Sequence, residues 1–169
     1  SVGFPAETAE LAEKLSDYHE NDLADALTAL TPEERQKVYT TLGVDTVAEI
    51  FSYLDDAEPY LKELPSDKAA NVVSHMDSDD AVDALDDLEE EDKAKIVGQL
   101  DKDSAEDVKM LLSYGEDEIG SSMTTNYICI RRDMTIRQAM SELVKQAGEN
   151  DNISTLYVVD ENEHFYGAI

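Results

Sequence analysis

Residues 77 to 92 read DSDDAVDALDDLEEED. Ten of these sixteen residues carry a carboxylate and none is Lys, Arg or His. Yet Ala81, Ala84, Leu85 and Leu88 keep the i, i+3, i+4, i+7 spacing of a helix buried on one side. The stretch is therefore a patterned acidic helix and not a disordered tail. Asp79 and Asp83, four residues apart, fall side by side on the face roughly opposite that stripe. Like charges at this spacing repel by a few tenths of a kcal/mol, and a divalent cation would remove the repulsion.

The helix is one unit of a repeat. Working outward, the apolar residues that close successive units are Leu30, Leu42, Leu54, Leu64, Met76, Leu88, Leu100 and Leu112. The spacing is twelve residues except for one ten-residue unit, Asp55 to Leu64, which Pro59 interrupts. The fifth, eighth, ninth and twelfth positions of a unit tend to be apolar, as in Leu23, Ala26, Leu27 and Leu30, or Val47, Ile50, Phe51 and Leu54. Units open on helix-start signals: Thr31-Pro32-Glu33-Glu34 is an N-cap, a first-turn proline and a capping box, and Asp55, Asp77 and Asp101 stand in the equivalent place. Helices this short need neighbours to be stable. Residues 19 to 113 are thus predicted to form a superhelical array of short helices, preceded by a lead-in helix from Pro5 to Tyr18.

After Ser113-Tyr114-Gly115 the pattern changes. Tyr127 to Arg131 and Thr155 to Val159 are short and β-prone, and Thr135 to Ala147 carries Ile136, Ala139, Met140, Leu143 and Val144 at helical spacing. A turn over Asp160 to Glu163 leads to a last strand from His164 to Ile169. This is a βαββ unit with no covering helix after it, so the chain is expected to be part of a longer one.

Charge marks the same division. Residues 1 to 118 carry 33 acids against 9 bases, net -24, and residues 119 to 169 carry 7 against 4, net -3. Such a surface repels nucleic acid and anionic lipid and favours cations or basic proteins. No run approaches the roughly 20 apolar residues of a membrane span, and the lone Cys129 leaves no intramolecular disulfide to form.

Two resemblances follow from these residues. GEDEIGSSMTTNYICIRRDMTIRQAMSEL (residues 115 to 143) and STLYVVDENEHFYGAI (residues 154 to 169) resemble the entry into, and most of, a first CBS domain, with Met-Thr before the first strand and Tyr157-Val-Val-Asp160 ahead of Gly167. The helical repeats, with DLADAL at residues 22 to 27 and DAVDAL at residues 80 to 85, resemble the N domain of MgtE-type magnesium transporters. The fold expected is mainly α, an acidic array (1–118) followed by an incomplete α+β CBS domain (119–169).

The resemblance implies a non-enzymatic, cytosolic Mg2+ sensor at the cytoplasmic face of the membrane, attached to a magnesium channel. Mg2+ would bridge the acidic array to CBS surfaces and favour the closed pore. It implies as partners Mg2+, the protein's own second CBS and transmembrane domains, and a second copy in a homodimer, with no nucleic acid. The implied metal ligands are Asp79 and Asp83, Glu49 from an earlier unit, and the backbone carbonyl of Gly120 or Ser121. Ser121 and Ser122 depart from the small glycines of the family after Gly120.

Other motifs carry less. Gly115 to Gly120 has the spacing of a phosphate loop but lacks its lysine, and Asn152-Ile153-Ser154 matches a glycosylation site without a secreted context. His19, His75 and His164 lack paired metal-ligand spacing and read as surface or helix-end residues, Cys129 as a small core residue, and Lys93 and Lys95 as solvated positions. Two other functions suit the same parts: a helical interaction scaffold like that of a flagellar rotor protein, and a nucleotide-sensing CBS regulator of a cytosolic enzyme.

Overall fold

The structure, a computed structural model, describes residues 6–86, 88–115, 118–147 and 154–169. Pro5, Asp87, Asn152 and Ile153 lie outside the described residues. By internal contacts the chain divides into two compact units, Ser1–Met123 and Thr124–Ile169.

In the first unit the described helices are α1 (Ala6–Leu15), α2 (Glu20–Leu27), α3 (Pro32–Leu42), α4 (Val44–Ser52), α5 (Glu58–Lys62), α6 (Ser66–Val73), α7 (Ser78–Asp86), α8 (Glu90–Val97) and α9 (Lys102–Leu111), followed by a 3-10 turn, Ile119–Ser122. The helix-start signals explain several of these boundaries. The Thr31 N–H donates to Glu34 Oε2 at 2.9 Å while Thr31 Oγ1 accepts from the Glu34 N–H at 3.4 Å, closing the predicted capping box of α3. Asp101 caps α9, accepting from the amides of Asp103 (3.0 Å) and Ser104 (3.1 Å) and from the Ser104 hydroxyl (2.6 Å), and these bonds hold its carboxyl below the usual range. His19, read as a helix-end residue, is the N-cap of α2. Gly43, at φ +85°, lets α4 start one residue after α3 ends, in a conformation open to glycine and costly elsewhere. The ten-residue unit departs from expectation: α5 starts at Glu58 behind Ala57, with Asp56 and not Asp55 accepting the Glu58 N–H (3.0 Å), because Pro59 must sit in the first turn.

α2, α4, α6 and α8 pack in succession, each on the next, while α1 packs on α3 and α7 on α9. A helix thus contacts mainly the one after next, and the row winds as a solenoid whose members have no stability alone. The core contains Leu27, Val47, Ile50, Phe51, Leu61, Val73, Leu85, Val108 and Leu111, all essentially inaccessible to solvent. The buried stripe is wider than the predicted one. The sixth residue of the unit is also buried, at Ala24, Ala48, Ala70 and Val82, and the eighth is buried at Val38, Ile50, Val72 and Ala84 but exposed at Ala26. Small side chains at the sixth position let the helices approach closely. The closing leucines Leu30, Leu42, Leu54, Leu64, Leu100 and Leu112 are only partly buried, since each sits at the turn and packs on the rim of the core.

The second unit is a three-stranded sheet with one helix: β1 (Ile128–Arg131), α10 (Ile136–Gln146), β2 (Leu156–Val159) and β3 (Phe165–Ala168), in the order β1-β2-β3. β1 runs parallel to β2, with Ile128 opposite Leu156 and Arg131 opposite Val159; β2 and β3 are antiparallel. Thr135 and Gln138 form a second capping box at α10. In the β2–β3 turn, Asp160 Oδ1 accepts from the amides of Asn162 (2.8 Å) and His164 (3.0 Å), which hold its carboxyl below the usual range. The architecture is thus the predicted one, a helical array followed by a βαββ unit.

Candidate metal site on the acidic helix

The opening stretch, read as one acidic helix, is split between two: α7 carries Asp79, Asp80, Asp83 and Asp86, and α8 opens with Glu90, Glu91 and Asp92. The apolar side of α7, Ala81, Val82, Ala84 and Leu85, is buried, and α7 packs on both α4 and α9. Asp83 is exposed, as its place opposite the stripe predicts, and it is engaged in a local polar interaction. Asp79 lies deeper than a fully outward position would put it. It is half-buried, and its Oδ1 is shut off from solvent with no hydrogen-bond partner. An orphaned anionic oxygen is costly to leave unsatisfied. A hard cation that takes oxygen ligands and keeps several waters, as Mg2+ does, is the kind of ion such an oxygen fits. Glu49 is half-buried on α4, the helix on which α7 packs, and it too has a local partner. Gly120 is buried in the 3-10 turn with the Tyr114 ring against it; a Cβ there would lie 2.4 Å from Tyr114 Cδ1. Among the described residues no three His, Cys, Asp or Glu side chains converge as a ready-made ion site.

Asp80 was not singled out by spacing, and burial perturbs its carboxyl. A cavity of about 350 Å3 between α7 and the end of α4 is lined by Ser52, Asp55, Asp80, Asp83 and Asp86, with Phe51, Leu54, Ala57 and Ala84 as its apolar lining. Burial, and secondarily the like charges of Asp79 and Asp83, push the Asp80 carboxyl above its ordinary value, against a hydrogen bond with Ser52 that pulls it down. A raised folded-state value means that charged Asp80 costs stability at neutral pH. The cost is relieved as the pH falls through that raised value towards the ordinary 3.8. Asp80→Asn is therefore expected to be more stable than the parent at pH 7, with an advantage that shrinks as the pH is lowered towards 3.8. Paired urea titrations at the two pH values measure this; a constant difference would assign the gain to packing.

Lys93 also departs from its solvated reading. Its side chain is only 16% exposed and its Nζ lies 3.0 Å from Asp86 Oδ1, tying α8 to the end of α7. Lys95, paired with Glu91 (2.9 Å) and Asp92 (3.2 Å), is half-exposed as expected. In the second unit a cavity of about 780 Å3 is walled by Tyr127, Tyr157 and Phe165 and edged by Arg131, Glu142 and Gln146. Cys129 lines it half-buried, and burial pushes its thiol above the ordinary value.

A family model described as the MgtE intracellular N domain matches residues 18–117, more than half of the chain. The chain belongs to the MgtE family. A CBS domain model matches the remainder, residues 117–169, in the order expected. The magnesium transporter MgtE of Enterococcus faecalis is 41% identical over 145 residues, covering 83% of this chain and 32% of that protein. The MgtE of Thermus thermophilus is 35% identical over 63 residues, covering 37% of this chain and 14% of that one, and the MgtE of Bacillus subtilis is 28% identical over 150 residues, covering 88% and 33%. The chain thus spans about a third or less of the length of these relatives. Among solved structures, the soluble part of a magnesium transporter superposes with a TM-score of 0.90 at 30% identity, covering 96% of this chain and 65% of that one. The cytosolic domain of the Mg2+ channel MgtE in complex with ATP superposes at 0.80 and 32% identity, covering 96% and 67%. The MgtE relatives are named as transporters and channels, not as enzymes. Among the described residues of this MgtE chain no helix is long and apolar enough to cross a membrane.

Proposed function

We propose that this MgtE chain is the cytosolic Mg2+-responsive regulatory region of a magnesium transporter. The observation that carries the reading is the shielded, unpartnered Asp79 Oδ1 on a helix whose exposed neighbour Asp83 lies one turn away. One helix supplies half a site, and the ion binds well when a second acidic surface closes on it, so ion binding and domain docking are one event. Asp79 and Asp83 present the anionic oxygens, Glu49 adds a third acid from α4, and the Gly120 carbonyl is the contribution of the 3-10 turn. The second acidic surface belongs to a further CBS domain of the same protein, which works as a homodimer at the cytoplasmic face of the membrane. At low Mg2+ the acidic surfaces repel and separate; at high Mg2+ they dock and favour the closed pore. We place the domain boundary at 118/119, where the charge density falls and close to residue 117, where the two family matches meet.

A Mg2+ titration by small-angle scattering, on the chain continued through its second CBS domain, tests the reading. The radius of gyration is expected to shrink beyond an ionic-strength-matched NaCl control. Asp79→Ala combined with Asp83→Ala is expected to raise the Mg2+ midpoint at least about tenfold, within the usual range of coupling between sites, with the helical signal unchanged. Equal shrinkage in NaCl would remove the sensing role, and an unmoved midpoint would remove these two residues from the site. The relatives' identity as magnesium transporters counts against the rotor-like scaffold and the cytosolic enzyme regulator.

A further inference from the structure

β1 is an edge strand, and its outer side is an open template for another chain unless something covers it. The Arg132 N–H donates to Val159 O at 2.9 Å, so the even-numbered residues of this segment turn their backbone groups toward β2. The odd-numbered ones, Cys129 and Arg131, turn theirs outward. At Cys129 the outward groups are already taken. Its N–H donates to Gln146 Oε1 at 2.9 Å, and Gln146 Nε2 donates back to Cys129 O at 2.9 Å. That reciprocal pair is what a residue of an added strand would make, and a side-chain amide, which both donates and accepts, reproduces it.

Gln146 is well placed to hold this position. It is the last residue of α10, half-buried, on a helix that packs against β1. Its Nε2 also donates to Glu142 Oε1 at 3.0 Å, one turn back, which sets the amide orientation from the helix side. At the second outward position, Arg131 carries a charged pair with Asp133 (2.6 Å), a feature that discourages strand addition. Cys129 itself, small and uncharged, offers no such deterrent.

We propose that Gln146 is an intramolecular edge cap: its side-chain amide takes the place of a fourth strand at Cys129 and closes the outer edge of β1 to strand addition by a second copy of this chain. Amide hydrogen exchange on the unaltered protein is the first test. The Cys129 amide is expected to be protected to a degree comparable with Ile130, although it faces away from the sheet. Gln146→Leu keeps the bulk and removes the amide. It is expected to speed Cys129 exchange about tenfold, while Ile130 changes less, and to produce concentration-dependent association beyond that of the parent in sedimentation velocity. An unprotected Cys129 amide in the parent overturns the contact, and faster exchange without added association overturns the capping role. Should Gln146→Leu fail to fold, Gln146→Ala decides: it removes the amide and adds neither bulk nor charge. The expected result is faster Cys129 exchange with new association, and no new association overturns the cap.

Discussion

Arg35→Ala should lower the unfolding free energy by about 3 kcal/mol, seen as a lower urea midpoint with an unchanged slope. Arg35 stands at the fifth position of its unit, where other units place Leu23, Val47, Ala69 and Ala81. Its side chain is 12% exposed and that of its partner Glu63 is 19% exposed. The guanidinium grips Glu63 bidentately, through Nε to Oε2 (2.9 Å) and Nη2 to Oε1. Nη1 donates to the carbonyls of Leu27 (3.2 Å) and Leu30, so the same group caps the end of α2, and the plane lies over Tyr60 at 5.2 Å. The hydrogen bond to Glu63, against the opposing effect of burial, raises the Arg35 guanidinium above its ordinary value. Truncation leaves the largely enclosed Glu63 without its partner and takes the guanidinium donor from the Leu30 carbonyl, while Leu27 O keeps the Leu30 N–H at 3.2 Å. The mechanism makes a second outcome specific. Arg35→Met combined with Glu63→Leu, which removes both charges, should recover most of the loss, because a buried pair roughly offsets its own desolvation. If the double variant is as unstable as Arg35→Ala, the cap on α2 and not the ion pair carries the effect.

Phe51→Ala is expected to cost about 3–5 kcal/mol. Phe51 is 1% exposed and meets Tyr39 edge-on (5.5 Å, 76°) and Tyr60 at a tilt (6.1 Å, 58°), so one ring joins α3, α4 and α5. Phe51→Leu, which refills most of the volume, should cost a smaller part of this. Phe51 also lines the Asp80 cavity, with Leu54, Ala57 and Ala84. A folded Phe51→Ala protein should therefore also let the Asp80 carboxyl fall back towards its ordinary value, since burial is the first cause of its rise. An NMR titration of Asp80 checks this link. An unmoved Asp80 would mean that its burial is set by α7 and α9 alone.

Much of the fold was legible because a solenoid is local. Each unit contains its own start signal, its stripe and its closing leucine, and neighbours meet in chain order, so a period of twelve residues specifies both the helices and their partners. The misplaced details arise where a residue answers to a partner outside its own unit. Arg35 and Lys93 both occupy the apolar fifth position, a signal present in the sequence, but their partners Glu63 and Asp86 follow only once the helices are stacked.

The acidic helix shows the same division. Sequence by itself determined that the stretch opening at Asp77 contains a one-sided helix with Asp79 and Asp83 on one face, because helical period depends only on spacing, although that helix spans Ser78–Asp86 and a second begins at Glu90. Spacing cannot rank acids by solvation, since burial depends on what α4 and α9 bring alongside. Only the tertiary structure decided that Asp79 has one oxygen shut off from solvent without a partner and that Asp80 lines a cavity beside Ser52. The physical reason is that a carboxylate's energy is set by the loss of water around it, and that loss is a property of the packed array and not of the helix.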